Sequence, residues 1–330
     1  MRIKTLGKTG LLVSEICLGT MTFGLQVDED MSRKILDRAA SGGVNFLDTA
    51  DVYPLGGDLD TVGRTEEIIG RWLKGQRGNY ILATKAVGKM GPNPWDQGAS
   101  RKHLLDAIDA SLRRLQTDYV DLYQLHSDDA VTPLDETLEA LDIIVRSGRA
   151  RHVGVSNFLA YRLARALGRA EITGLTRFVS VQPRYSLLFR EIERELLPLA
   201  AEEGIGVIPY NPLAGGLLTG KHERGAAPTP GTRFTLGTAA ERYQERYWNE
   251  REFTTVERFV SLAADAEVAP ATLAIAWVLA NPVITAPLVG ASHPDQLDDS
   301  LVAVSYKLDP VLKQRLDELT AEYRKGDAVR

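Results

Sequence analysis

About eight short apolar stretches recur along this chain, each separated from the next by a segment long enough for a helix. They fall at 15–19, 45–49, 80–85, 120–126, 152–156, 178–182, 206–210 and 284–289. Between the first two, Met31, Ile35 and Ala39 share one helical face behind Asp28 as a cap. At 100–115, Leu104, Ile108, Leu112 and Leu115 keep helical spacing behind Ser100. Further helices are expected at 66–74, after Pro133, and at 160–170, 192–202, 253–266 and 271–280. Parallel strands need crossovers of this size, so the alternation predicts an α/β fold closed as a (β/α)8 TIM barrel. With no linker to divide it, the chain reads as one domain over 1–330. An open doubly wound sheet is the alternative, but the first strand lacks the Gly-x-Gly-x-x-Gly turn of a dinucleotide-binding crossover. Gly7-Lys-Thr-Gly10, between Lys4-Thr-Leu and Leu11-Leu-Val, adds a small N-terminal β-hairpin. The irregular stretches 86–99 and 221–248 are expected to be long loops at the C-terminal face, where such barrels place their active sites.

Several strand ends carry side chains that packing alone does not call for. The 45–49 strand runs out at Asp48 and a loop delivers Tyr53; the strands at 80–85 and 120–126 end in Lys85 and His126. A free phenol, with a pKa near ~10, is a poor acid or base at neutral pH. A nearby ammonium favours the phenolate, and a carboxylate paired with that lysine fixes the charge in place. A neutral imidazole can donate a hydrogen bond to a carbonyl oxygen. Asp48, Tyr53, Lys85 and His126 therefore suit proton transfer to an oxygen that gains negative charge.

The net charge of −5 gives no electrostatic case for nucleic acid or an anionic membrane. Cys17 is the single cysteine, which excludes an intrachain disulfide and an all-cysteine metal site. His103, His152 and His222 read as surface or packing residues, and Arg162, Arg165 and Arg169 as a solvated helix face; no metal is expected. No signal-peptide pattern and no bilayer-length apolar run are present, so a cytoplasmic protein is expected.

The quartet, in this order, resembles the tetrad of the aldo-keto reductase superfamily, and the likeness extends along nearly the whole chain. It includes Gly19-Thr-Met-Thr-Phe-Gly24, Ala83-Thr-Lys85, Ser111-Leu-Arg-Arg-Leu115, the 118–126 run, Gly154-Val-Ser-Asn-Phe158, Val181-Gln-Pro183, Tyr210-Asn-Pro-Leu213 and Gly215-Gly-Leu-Leu-Thr-Gly-Lys221. The resemblance implies that the hairpin plugs the barrel bottom and that NADP(H) is the preferred cofactor, with NAD(H) possible. It implies reduction of a small-molecule aldehyde or ketone, with Tyr53 as general acid. Nothing in the tetrad itself supplies a hydride.

By the same resemblance, Ser156, Asn157 and Gln182 hold the nicotinamide carboxamide, and Tyr210, with Asn211, Pro212 and Leu213 behind it, stacks on the ring. Gly19, Thr20, Met21 and Asp48 complete that end. Gly215, Leu217, Lys221 and Arg233 approach the pyrophosphate. Gly290, Ser292, His293, Gln296, Asp299 and Ser300 take the adenine and 2′-phosphate end, with Ser292 and His293 where relatives often carry an arginine. Trp95 and Phe23 join Tyr53 and His126 as the expected substrate pocket. The rival expectation comes from the superfamily's potassium-channel β subunits, which hold NADP and act chiefly as partners of a channel.

Overall fold

Strand alternation sets two layers at once: one face of each strand fills a lumen while the other packs under helices. In the computed structural model, which describes residues 1–326, the chain opens with β1 (Ile3–Thr5) and β2 (Leu12–Ser14), paired antiparallel. Their turn passes so close to the barrel that a Cβ on Gly7, at φ +57°, would lie 2.7 Å from the Gly204 carbonyl. Six parallel strands with an intervening helix each follow: β3 (Cys17–Gly19), α1 (Glu29–Ser41), β4 (Phe46–Asp48), α2 (Arg64–Leu73), β5 (Ile81–Ala86) and α3 (Arg101–Leu115). Then come β6 (Val120–Leu125), α4 (Leu134–Arg146), β7 (Ala150–Ser156), α5 (Ala160–Thr173), β8 (Phe178–Gln182) and α6 (Leu196–Glu203). The cap residues expected from sequence do cap: Asp28 accepts from the Met31 amide and Ser100 from the His103 amide.

The last two strands are short, β9 (Gly206–Val207) and β10 (Leu288–Val289). Longer runs were expected at 206–210 and 284–289; Pro209 and Pro287 bring no amide hydrogen to a ladder there. β10 pairs with β3, and the other strands pair in sequence order from β3 to β9. A Val207–Ile284 bridge closes the ring, with the Thr285 amide 2.8 Å from the Val207 carbonyl and the Leu288 amide 2.8 Å from that of Pro209. The product is the expected (β/α)8 barrel.

The stretch between β9 and β10 holds α7 (Ala240–Tyr247), α8 (Glu250–Asp265) and α9 (Pro270–Leu279); α10 (Asp298–Ala303) and α11 (Pro310–Leu319) follow β10. The 221–248 segment is thus not wholly irregular, as expected from sequence, but contains a two-turn helix. Among the described residues no single helix is long and apolar enough to cross a membrane. Leu6 and Val13 of the hairpin pack with Cys17, Phe46, Ala83 and Leu122, which stopper the lumen from below.

Candidate active site

Phe46 faces the lumen, so period-two alternation turns Asp48 inward as well; Ala83 does the same for Lys85, and Leu122 for Gln124. Lys85 and Asp48 are buried together, 0% and 1% exposed at their side chains. The Lys85 ammonium donates to Asp48 Oδ1 at 2.5 Å and to the Thr49 carbonyl at 2.8 Å. The amides of Gln124 and Gln182 donate to Asp48 Oδ2 at 3.0 and 2.9 Å. A buried ion pair is tolerable only when its remaining lone pairs are met, and these two glutamines meet them. Gln124 was missed from sequence, although it stands two residues before His126 on the same face of the expected strand.

Tyr53 arrives in the loop after β4 and is 8% exposed. Its ring centroid lies 5.0 Å from Lys85 Nζ, and its ring meets His126 edge-on with centroids 5.6 Å apart. Burial raises the phenol's pKa above its ordinary value, and the Lys85 charge opposes that rise without cancelling it. Burial also disfavours the Lys85 ammonium, but Asp48 and then Tyr53 outweigh it and hold its pKa above the usual lysine value. His126 is driven down to about 3 by burial, then by the charges of Lys85 and Arg242. At neutral pH the cluster therefore holds a protonated phenol, an ammonium and a neutral imidazole.

Asp48, Tyr53 and His126 form one wall of a cavity of ≈ 700 Å³. Of the residues singled out in the sequence, it gathers Gly19, Thr20, Met21, Asp48, Tyr53, His126, Ser156, Asn157 and Gln182. It also gathers Tyr210, Asn211, Pro212, Leu213, Gly215, Lys221, Arg233, Gly290, Ser292, Gln296 and Asp299. Part of this wall is pre-tied: Tyr210 Oη donates to Asn157 Oδ1 at 2.8 Å, Asn157 Nδ2 to the His126 carbonyl at 2.8 Å, and Ser156 Oγ to the Gln182 carbonyl at 2.9 Å.

Several expected residues lie elsewhere. Lys85 sits behind the wall, beneath Tyr53 and Asp48. Leu217 and Phe23, both 0% exposed, pack between sheet and helices rather than facing the cavity, and Ser300 is buried in α10. Trp95 is 53% exposed on its loop and does not reach the lining. His293 also stands outside the lining, its Nδ1 3.4 Å from Asp295 in solvent. In their place the cavity recruits Gln26, Arg242, Tyr243 and Arg246. The i, i+4 pairs Arg242/Arg246 and Tyr243/Tyr247 were the sequence signal for the helix that carries the last three.

The geometry suits a dinucleotide. Ala214, Gly215 and Gly216 run consecutively through the left-handed region, at φ 49°, 72° and 104°. A Cβ on Gly216 would stand 3.8 Å from Lys221 Nζ, and one on Gly290 3.4 Å from Arg233 Nη2. Among the described residues neither Lys221 nor Arg233 forms an ion pair; Arg233 Nη1 instead donates to Gln26 Oε1 at 3.1 Å. Partial burial and then Arg233 lower the pKa of Lys221 at the rim, and burial lowers that of Arg233. Asn211 Nδ2 is buried without an acceptor. Two uncompensated cations, bare backbone and an orphaned amide donor fit a phosphate-bearing ligand.

A parallel barrel with an acid–base cluster at the wall of its upper cavity, and unpaired cations beside it, falls among the barrel oxidoreductases. The chain belongs to the aldo/keto reductase family, whose model matches residues 15–321. It is 40% identical over 327 residues to "Uncharacterized oxidoreductase YrpG" of Bacillus subtilis (strain 168), covering 97% of this chain and 96% of that protein. A "Probable voltage-gated potassium channel subunit beta" of Arabidopsis thaliana is 37% identical over 333 residues, covering 97% and 96%. "Versiconal hemiacetal acetate reductase" of Aspergillus parasiticus is 32% identical over 344 residues, covering 96% of each chain. The family generally uses a nicotinamide cofactor.

Proposed function

We propose that this protein reduces an aldehyde or ketone to the alcohol, with NADPH as its preferred cofactor and Tyr53 as proton donor. The observation that carries the reading is a buried, protonated phenol on the cavity wall, directly above the Lys85–Asp48 pair. Ser156, Asn157, Gln182 and Tyr210 would hold the nicotinamide, and Lys221, Arg233 and Asn211 the phosphates. When bound, the reduced cofactor supplies the hydride. Tyr53 delivers its proton to the carbonyl oxygen as that oxygen gains charge. Lys85 stabilises the phenolate left behind, and Asp48, fixed by Gln124 and Gln182, keeps the ammonium in place. His126, kept neutral, donates a hydrogen bond that orients the oxygen.

Preference for NADP over NAD is supported by the excess of cations lining the cavity and by the lining positions of Ser292 and Gln296. The reading takes the protein to be cytoplasmic, with a small-molecule substrate and no nucleic-acid or membrane partner. A second reading, a cofactor-binding partner protein with little turnover, is favoured by the potassium-channel subunit relative. Incubation with NADPH or NADH and a panel of aldehydes and ketones separates the two. Many turnovers per protein, faster with NADPH, are expected. A single slow turnover with retained oxidised cofactor would support the partner reading instead.

A further inference from the structure

Four cations line the cavity, Lys221, Arg233, Arg242 and Arg246, against two carboxylates, one of which is Asp48 and is spent on Lys85. The cations stand in two places. Lys221 and Arg233 flank Gly216 and Gly290, the bare backbone that suits a dinucleotide's phosphates. Arg242 and Arg246 line the same cavity as Tyr53, His126 and Tyr210, the groups that would handle the carbonyl and the nicotinamide ring. The Arg242 charge helps keep His126 neutral, and the Arg246 charge bears on the Tyr210 hydroxyl.

Both arginines project from α7, and i, i+4 spacing puts their heads on one face. That helix is firmly seated. Tyr243 and Tyr247 are buried, Tyr243 Oη donates to Asn211 Oδ1 at 3.4 Å, and Gln244 Nε2 donates to the Phe234 carbonyl at 2.7 Å. Of its charged residues only Arg242, solvent-exposed, and Arg246, half-buried, line the cavity; Glu241 and Glu245 are exposed and stay off the lining. Among the described residues neither Arg242 nor Arg246 forms an ion pair, even though Glu245 lies three residues beyond Arg242. A pair of pre-positioned, unpaired guanidinium forks is a site for a planar anion.

We infer that the substrate is an anionic carbonyl compound, an aldehyde or ketone bearing a carboxylate that Arg242 and Arg246 bind while its carbonyl faces Tyr53 and His126. This rests on the reductase reading for the role of the carbonyl, but the anion site can be tested without turnover. Positive charge concentrated in a cavity also raises the local concentration of such a substrate.

The probes are 4-carboxybenzaldehyde and its uncharged methyl ester, titrated by calorimetry into the protein saturated with NADP+. Wild type should bind the acid more tightly than the ester, and added salt should weaken only the acid. Loss of a charge-assisted hydrogen bond predicts that Arg242→Ala lowers the acid-to-ester affinity ratio by about tenfold or more. Arg242→Ala/Arg246→Ala should lower it further, and Arg242→Lys should retain part of the preference. Any effect on His126 or folding common to both probes cancels in the ratio. A ratio unchanged in both alanine variants, or a wild type that binds the acid no better than the ester, overturns the inference. Turnover of the same two compounds reports on the other reading. An arginine-dependent ratio without reduction of either probe would sink the reductase reading and leave the anion site standing. Reduction of both with an arginine-independent ratio would do the reverse.

Discussion

Burial and charge pull in opposite directions on Tyr53, and the balance decides which half of its proton cycle is easy. From sequence, Lys85 was expected to lower the phenol's pKa; the structure adds a burial cost that more than offsets it. A phenol so placed is a ready proton donor and a reluctant base. Tyr53→Phe removes only the donor oxygen, so turnover in reduction should fall by at least ~100-fold while the NADPH Kd changes little. Near-normal kcat in that variant would end the case for Tyr53. Lys85→Met removes the one charge that favours the phenolate, so the phenol's pKa should climb further. Alcohol oxidation, which needs the phenolate as base, should then require higher pH than in wild type; an unmoved oxidation profile would reduce Lys85 to a structural residue. The tetrad was legible because three of its members end apolar runs where packing has no use for a charge. Gln124 was not, because an uncharged amide inside a strand carries no such contradiction.

At the scale of elements, the 221–248 segment departs most from its sequence reading. It was expected to be an irregular loop, yet its aromatics hold the segment together. Phe234 and Trp248 meet edge to face with centroids 4.7 Å apart, and His222 packs edge-on against both at 5.0 and 5.2 Å. A two-turn helix is too short to be stable alone, and tertiary burial of Tyr243 and Tyr247, its one apolar face, fixes it. His222 was expected to be surface or packing, and it packs: both ring nitrogens are buried without partners. Burial and then Lys221 depress its pKa from 6.5 to about 4. The folded pKa is lower than the unfolded one, so His222's contribution to stability is present above pH 6.5 and is lost as pH falls through about 4. His222→Phe should keep the ring packing and flatten this acid-side loss. Thermal unfolding of both proteins across that window checks it; identical slopes would mean that His222 titrates as it does in the unfolded chain. The strands, by contrast, were legible to within a residue or two wherever no proline intervened, as 178–182 and 152–156 show.

Across the whole molecule, alternation of strand and helix was enough to anticipate the barrel. The closure between β9 and β10 rests on a few backbone bonds that no local pattern announces. The floor of the lumen has a further use. Cys17, the chain's one cysteine, is 0% exposed there, and burial, aided by Asp48, raises its thiol pKa well above the ordinary value. A thiol reagent can reach it only when the barrel opens, so its labelling rate is a clock for opening events. If those events are global, they release the cofactor, and NADPH at 100 times its Kd should slow labelling about 100-fold. If the hairpin instead swings away alone, labelling proceeds from below at a rate indifferent to NADPH. The expected result is the first, because Leu6 and Val13 share one apolar cluster with Cys17 and Phe46. Ellman's reagent with and without cofactor therefore reports whether stopper and barrel melt as one unit, with no label, tag or mutation added.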